Sequence, residues 1–140
     1  MAKTLSLRKA FASFGAVAKN PRWSWSARSP DGKTVVINLW SDERYWLGPG
    51  RYREPGHDDL LWAARPGNRD RLENLIWARN NCGHLFRVVI TVGVAGAHSE
   101  IADCWPHPDL LMHIDELDEK TGAFEAHHVG NQAASSPLTT

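Results

Sequence analysis

The most constraining feature of the sequence is the run TVVINLW at residues 34–40, which follows a Ser-Pro-Asp-Gly segment at residues 29–32. An Asp-Gly pair adopts the left-handed backbone of a tight turn at low cost. Before the turn, residues 23–27 alternate large and small side chains with the period of a strand. The pattern predicts a β-hairpin whose second, largely apolar strand is buried on both faces.

Two segments have the spacing of amphipathic helices. The first, residues 6–18, begins at the potential N-cap Ser6, and its apolar residues recur at intervals of four and three: Leu7, Phe11, Phe14 and Val17. The second, residues 68–79, begins at the potential N-cap Asn68, and its core-facing residues are Leu72, Leu75 and Ile76.

The second half of the chain is predicted to consist mainly of strands, at residues 85–94, 100–105, 110–117 and 122–129. The last two form a hairpin. If Leu117 pairs with Gly122, one face carries Leu111, His113 and Asp115 of the first strand beside Phe124, Ala126 and His128 of the second.

Residues 41–67 contain three prolines and four glycines, so most of this region is predicted to be a long loop with a short helix at residues 58–64. Together these elements predict an α+β fold in a single domain over residues 1–130, followed by a disordered tail at 131–140. About six mostly antiparallel strands form a strongly bent or barrel-like sheet, with two or three helices.

The composition excludes several classes of protein. With 140 residues, 42% of them hydrophobic and 23% charged, the chain can bury its own core without a disulfide or a structural metal ion. No apolar stretch is long enough to cross a bilayer, and the first residues lack the apolar core of a secretory signal. The two cysteines, Cys82 and Cys104, are therefore expected to be reduced in a cytoplasmic protein.

Charge and tryptophan are unevenly distributed. Residues 1–79 carry a net charge of +6 and residues 80–140 one of −6, and six of the seven tryptophans lie in the basic half. Arginine outnumbers lysine 11 to 5, and guanidinium groups bind phosphate in pairs of hydrogen bonds and stack on rings. Two explanations of this distribution stay open. One is nucleic-acid binding; the other is that the charges of the two halves neutralise each other within one fold, where arginine stems cover tryptophan edges.

Aromatic residues near the long loop are predicted to line a ligand wall: Trp46, Tyr52 and Trp62. Nearby arginines are predicted to contact phosphate: Arg44, Arg51 and Arg53. Aromatic faces stack on unpaired bases for about 1–3 kcal/mol each, and arginines hold the backbone. The pattern favours a non-catalytic domain that binds DNA or RNA, with no cofactor and no metal ion.

Residues 20–27 (NPRWSWSA) and 36–43 (VINLWSDE) resemble uncharacterised bacterial proteins and modules associated with HNH-nuclease and restriction-type systems. The mix of helices and strands is also similar to the PUA and EVE class of small barrels, which bind modified bases in aromatic pockets. The resemblance implies a modified-base sensor. The chain has no His-Asn-His constellation at HNH spacing, which implies that nuclease activity belongs to a partner.

Two other functions stay open. Five histidines in the last 43 residues, with Asp103 or Asp115, suit the acid–base groups of a small hydrolase or nuclease. Alternatively, the oppositely charged halves of two chains join in a homodimer. Two further motifs have unsuitable spacing: the pairs Cys82/His84 and Cys104/His107 for zinc, and Gly93/Gly96 for a phosphate-binding loop.

Overall fold

The structure is a computed structural model that describes residues 6–19, 24–54, 66–93 and 101–129. These ranges contain two α-helices, a short 3₁₀ turn at Glu43–Tyr45 and seven strands. In chain order the elements are α1 (Leu7–Ala12), β1 (Ser26–Arg28), β2 (Val35–Trp40), β3 (Trp46–Gly48), β4 (Arg51–Glu54), α2 (Pro66–Asn81), β5 (Leu85–Gly93), β6 (Ile101–Leu117) and β7 (Phe124–His128). No helix of the described ranges is both long and apolar enough to cross a membrane.

The seven strands form one mixed sheet in the order β1-β2-β5-β6-β7-β4-β3. Only the β2–β5 pair is parallel among the described strands. The α+β class is confirmed, but the sheet is not closed into the predicted barrel. Its edge strands, β1 and β3, are three residues long each, and such short edges expose few unpaired backbone groups without closure.

The predicted hairpin is confirmed as β1 and β2, with Ser26 opposite Ile37. Gly32 has φ +73 in the turn, and a Cβ there would lie 2.9 Å from the Trp77 ring, so both backbone and space require glycine. Strand β2 is buried at five of its six residues, as its apolar sequence predicts. It lies between β1 and β5, with a helix on each face of the sheet.

The two faces of the sheet are named here after the helices that cover them. On the α2 face, Leu75 of α2 packs into the larger core cluster with side chains such as Ile37 and Met112. On the α1 face, Phe11 packs with Val36 in a smaller cluster. Successive side chains along a strand point to opposite faces of the sheet. The α1 face therefore includes every second side chain of β6, β7 and β4, which lie beyond the area that α1 covers.

Both helices differ in extent from the prediction. The Ser6 N-cap is confirmed, but α1 ends at Ala12, before a turn in which Gly15 has φ +76 and after which Val17 pairs with Arg28 in an isolated β-bridge. The second helix begins at Pro66, a favoured first helical residue, so Asn68 lies inside the helix and not at its cap. The predicted helix at 58–64 and the predicted tail at 131–140 lie outside the described residues.

Segments that contain prolines form strands that the prediction missed. Within the expected loop, the Pro49-Gly50 turn joins β3 to β4. The two predicted strands at 100–105 and 110–117 form one strand, β6, which continues through Pro106 and Pro108 with a register shift against β5. Pro106 lies opposite Val89, whereas Pro108 lies within the irregularity, where no ladder hydrogen bond is required of its nitrogen.

The Asp118→Asn variant is expected to lose stability at neutral pH. Backbone hydrogen bonds from Lys120 and then Thr121 lower the pKa of the Asp118 carboxyl in the β6–β7 turn. Its stabilising contribution is therefore present above the unfolded pKa, near 3.8, and is lost as the pH falls through the lower folded value. Urea unfolding from pH 2 to pH 7 should show the variant and wild type converging only in acid.

The matched control is Glu43→Gln, which removes an exposed carboxylate that accepts no hydrogen bond from a described residue. Its stability difference from wild type should change less with pH. A constant difference between Asp118→Asn and wild type across the range would contradict the assigned role of Asp118.

Candidate functional site

The register between β6 and β7 decides which late histidines meet. Leu117 lies opposite Phe124, so the predicted pairing of Leu117 with Gly122 is wrong. After a register shift between Ile114 and Glu116, His113 lies opposite His127 on the α1 face. The histidine that the prediction placed there, at the next position of β7, belongs to the other face because side chains alternate along a strand.

A β-bulge interrupts this pair of strands. Ile114 lies opposite Ala126 and Glu116 opposite Glu125, which leaves Asp115 as an extra residue of β6 without a partner. A bulge directs two successive side chains to one face and often occurs beside functional sites. It therefore keeps Asp115 on the α1 face together with the paired histidines.

The three side chains form what we call the His–Asp–His cluster: His113, Asp115 and His127. The Oδ1 atom of Asp115 lies 3.1 Å from Nδ1 of His113 and 2.8 Å from Nδ1 of His127. Its Oδ2 atom lies 2.9 Å from the same nitrogen of His127. Side-chain exposures of 36%, 37% and 43% for His113, Asp115 and His127 leave the cluster open to solvent.

The carboxylate is stabilised by the rings that flank it. Partial burial acts to raise the pKa of Asp115, but the hydrogen bonds from His127 and His113 together outweigh it, and the pKa is lowered. A neutral imidazole that donates from Nδ1 keeps a lone pair on Nε2. One carboxylate thus orients two imidazoles, as carboxylates do for histidines that bind metals or move protons.

A third imidazole supports the cluster. His84, after the end of α2, stacks on His113 with 5.3 Å between ring centroids and 15° between ring planes. Its carbonyl oxygen accepts a 2.8 Å hydrogen bond from the backbone of Ile114, and its φ of +69 is rare outside glycine. Stacking and backbone pairing together restrict rotation of the His113 ring.

Charged side chains surround the cluster on the α1 face. On β4, Arg51 lies opposite His127 and Arg53 opposite Glu125. Both arginines are exposed. Arg53 and Lys120 line an open cleft of about 890 Å³ together with five acidic side chains: Glu54, Glu116, Asp118, Glu119 and Glu125.

The aromatic residues of the predicted ligand wall are placed differently from one another. Tyr52 is 0% exposed and packs in the larger core. Trp46 is half-buried against it, and the indole N–H of Trp46 donates a 2.9 Å hydrogen bond to the carbonyl of Trp40. Trp62 lies outside the described residues. A wall that includes Tyr52 would require the core to open.

The arginines of that prediction do not share a face with Tyr52. Along β4, the exposed Arg51 and Arg53 alternate with Tyr52 and Glu54, so the two pairs point to opposite faces. Arg44 binds Asp42 through a 3.1 Å ion pair.

Other guanidinium groups stack on the protein's own rings. Arg28 lies over Trp77 at 4.3 Å from the ring centroid, and Arg71 lies over Trp25 at 5.3 Å. Much of the interleaved pattern of tryptophan and arginine therefore contributes to packing.

The hydrolase alternative included two aspartates, Asp103 and Asp115, and the structure places them in different parts of β6. Asp115 contacts two histidines, whereas Asp103 lies opposite Val92 of β5, about 23 Å along that strand from Leu85, the partner of His113. The cysteine–histidine set is also separated. Cys104 packs on the α1 face, while Cys82 packs against the larger core, where burial raises the pKa of its thiol.

The hydrolase alternative included both His113 and His127 among the late histidines, but the predicted register placed His128 beside His113 and Asp115, and nothing in it brought His84 to them. The available signal was the spacing of two between His113 and Asp115, which puts both on one face of a strand. Comparison of the chain with protein-family models, with curated proteins and with solved structures found no match to any of them.

Proposed function

We propose that this chain is a metal-dependent hydrolase whose divalent ion is bound by the His–Asp–His cluster. The observation that carries the proposal is geometric. One ligand atom each of His113, Asp115 and His127 lies within 4.8 Å of the other two, and the three come from two adjacent strands. An ion bound by all three residues would take the place of the two Nδ1–H···O hydrogen bonds, so that Nδ1 of each histidine and a carboxylate oxygen of Asp115 become its ligands, at about 2.0–2.2 Å for zinc.

The ligand types favour a transition metal such as Zn²⁺. Imidazole nitrogen and carboxylate oxygen together bind zinc and its neighbours in the first transition series, whereas calcium and magnesium take oxygen ligands. Two histidines with one carboxylate are also the protein ligands of several zinc hydrolases. The His84 ring stacks on the His113 ring and restricts its orientation.

The number of ligands favours catalysis over a structural role. Structural zinc sites are closed by four protein ligands, whereas catalytic sites have three and keep a position for water. Three ligands come together among the residues that the structure describes, and their side chains are more than one-third exposed. A water molecule on the ion would be acidified towards neutral pH and so become a nucleophile.

The His127→Ala variant is expected to bind Zn²⁺ at least about 100-fold more weakly than wild type. Removal of a residue that only orients a ligand already costs about 10–100-fold, so removal of the ligand itself costs more. Calorimetric titration of the full chain with Zn²⁺ gives the affinity and the stoichiometry, which should be one ion per chain in wild type. His113→Ala should behave in the same way.

His128→Ala is the matched control, because this exposed histidine is the next residue of β7 and its ring contacts the carbonyl of Asp109 instead. Its Zn²⁺ affinity should equal that of wild type. Equal weakening in His127→Ala and His128→Ala, or tight binding that survives the loss of His127, would refute the assignment of the cluster as the metal site.

A further inference from the structure

We infer that the substrate class of this site is a phosphodiester, held next to the metal ion by Arg51 and Arg53. The inference rests on the proposed metal-dependent hydrolase and adds what it acts on. In the β4–β7 pair, Arg51 is the direct neighbour of His127, and Arg53 that of Glu125. Directly opposed residues have Cβ atoms about 4.5–5.5 Å apart, so both guanidinium groups extend from the strand beside the cluster.

The two arginines are available to a ligand. Neither makes a hydrogen bond or an ion pair with another described residue, although both are exposed on a face that carries acidic groups. Some surface arginines do have partners: the exposed Arg44 pairs with Asp42, and the partly buried Arg79 pairs with Glu119. Two unpaired guanidinium groups beside a cation site form an anion-binding edge.

Phosphate esters fit this combination of groups. The planar guanidinium donates two parallel hydrogen bonds to phosphate oxygens, and a divalent ion polarises a further phosphoryl oxygen. In the hydrolysis, the oxygen of water forms a bond to phosphorus while the bond from phosphorus to the leaving alcohol breaks. The proton that the water loses ends on the oxygen of that alcohol.

The acidic cleft distinguishes among phosphate esters. Glu116 and Glu125 lie opposite each other next to the cluster, and both line the cleft beside Arg53. Each additional negative charge on a bound ester increases its repulsion from these carboxylates. In the cleft five carboxylates outnumber the two cations, Arg53 and Lys120, and a diester carries one negative charge where a monoester carries two near neutral pH, so the excess of carboxylates favours the diester.

The experiment compares three probes with the zinc-loaded full chain: bis(4-nitrophenyl) phosphate, 4-nitrophenyl phosphate and a single-stranded oligonucleotide. Wild type should hydrolyse the small diester at least about tenfold more efficiently than the monoester. In Arg51→Gln/Arg53→Gln, the KM for the diester should rise about tenfold or more, because two charge-assisted contacts are lost. Zn²⁺ affinity, measured on the same samples, should be unchanged.

Arg8→Gln is the control, since it removes an exposed arginine of α1 on another part of the molecule. It should leave KM unchanged. Cleavage of the oligonucleotide, with weaker salt dependence in the double variant, would identify nucleic acid as the source of the diester. Turnover of the small diester alone would identify a small-molecule diester. Both outcomes support the inference.

Two results would overturn it while the proposed function stands. The first is one zinc ion bound at the cluster with no turnover of either diester above the rate in buffer. The second is diester turnover whose KM does not change in Arg51→Gln/Arg53→Gln. Failure of wild type to bind Zn²⁺ would instead refute the proposed function, so the two failures are distinguishable.

Discussion

The Arg71→Met variant is expected to lose about 3–5 kcal/mol of its free energy of unfolding, the cost of removing one partner from a buried ion pair. Arg71 is 2% exposed, and its guanidinium lies 3.7 Å from the buried carboxylate of Glu54. It also donates to Oδ1 of Asn68 at 3.0 Å and lies between the rings of Trp25 and Phe124. Methionine fills much of the same space but leaves a buried carboxylate without its cation. Urea unfolding at pH 7 measures the loss.

The double variant Arg71→Met/Glu54→Gln tests the physical reason. If the cost comes from the uncompensated charge of Glu54, replacing that charge by an amide should recover a large part of the stability. The amide oxygen can still accept the hydrogen bond from Tyr52. A double variant no more stable than Arg71→Met would show that the loss comes from packing around the arginine and not from charge.

The Tyr52→Phe variant is expected to lose about 1.5–3 kcal/mol, the range for a hydrogen bond to a charged group. The Tyr52 hydroxyl donates to Oε1 of Glu54 at 2.6 Å and accepts from the backbone nitrogen of Trp40 at 3.2 Å. Burial and then the charge of Glu54 raise the pKa of Tyr52, so the hydroxyl stays protonated and available as a donor. Phenylalanine preserves the ring and removes only these two bonds.

Tyr45→Phe is the matched control. Its ring stacks on that of Tyr52 with 5.9 Å between centroids, and its hydroxyl has no hydrogen-bond partner among the described residues. The control should stay within about 0.5 kcal/mol of wild type. If Tyr52→Phe were as stable as wild type yet impaired in nucleic-acid binding, Tyr52 would belong to a ligand wall and not to the core.

Local patterns predicted the elements whose stability is local. The apolar run of β2, the Asp-Gly turn before it and the Ser6 cap are each determined by a few neighbouring residues, and each is present in the structure. The apolar strand β5, Leu85–Gly93, also agrees with its prediction to within one residue at its end. Such elements are stabilised by propensity, turn chemistry and burial that are visible in a short window.

Elements that depend on distant partners were predicted less well. Strand β4 has only four residues. Its alternation of exposed and buried side chains depends on pairing with β7, about 70 residues later in the chain. Strand β6 passes through two prolines while it pairs with β5 alone, and β7 pairs with it only from Met112 onward. Loop-like composition in these segments outweighed a strand pattern that only the assembled sheet stabilises.

The amino-acid sequence by itself determined the α+β class, the hairpin that begins the sheet and the presence of His113 and Asp115 on one strand face. Only the tertiary structure decided that His127 lies beside these two residues. It also decided that the Tyr52 side chain packs in the core, on the face of β4 opposite Arg51 and Arg53. The physical reason is that side-chain direction reverses with every residue of a strand. One extra residue in the β6 bulge therefore determines which groups meet, and that choice depends on packing of the whole sheet.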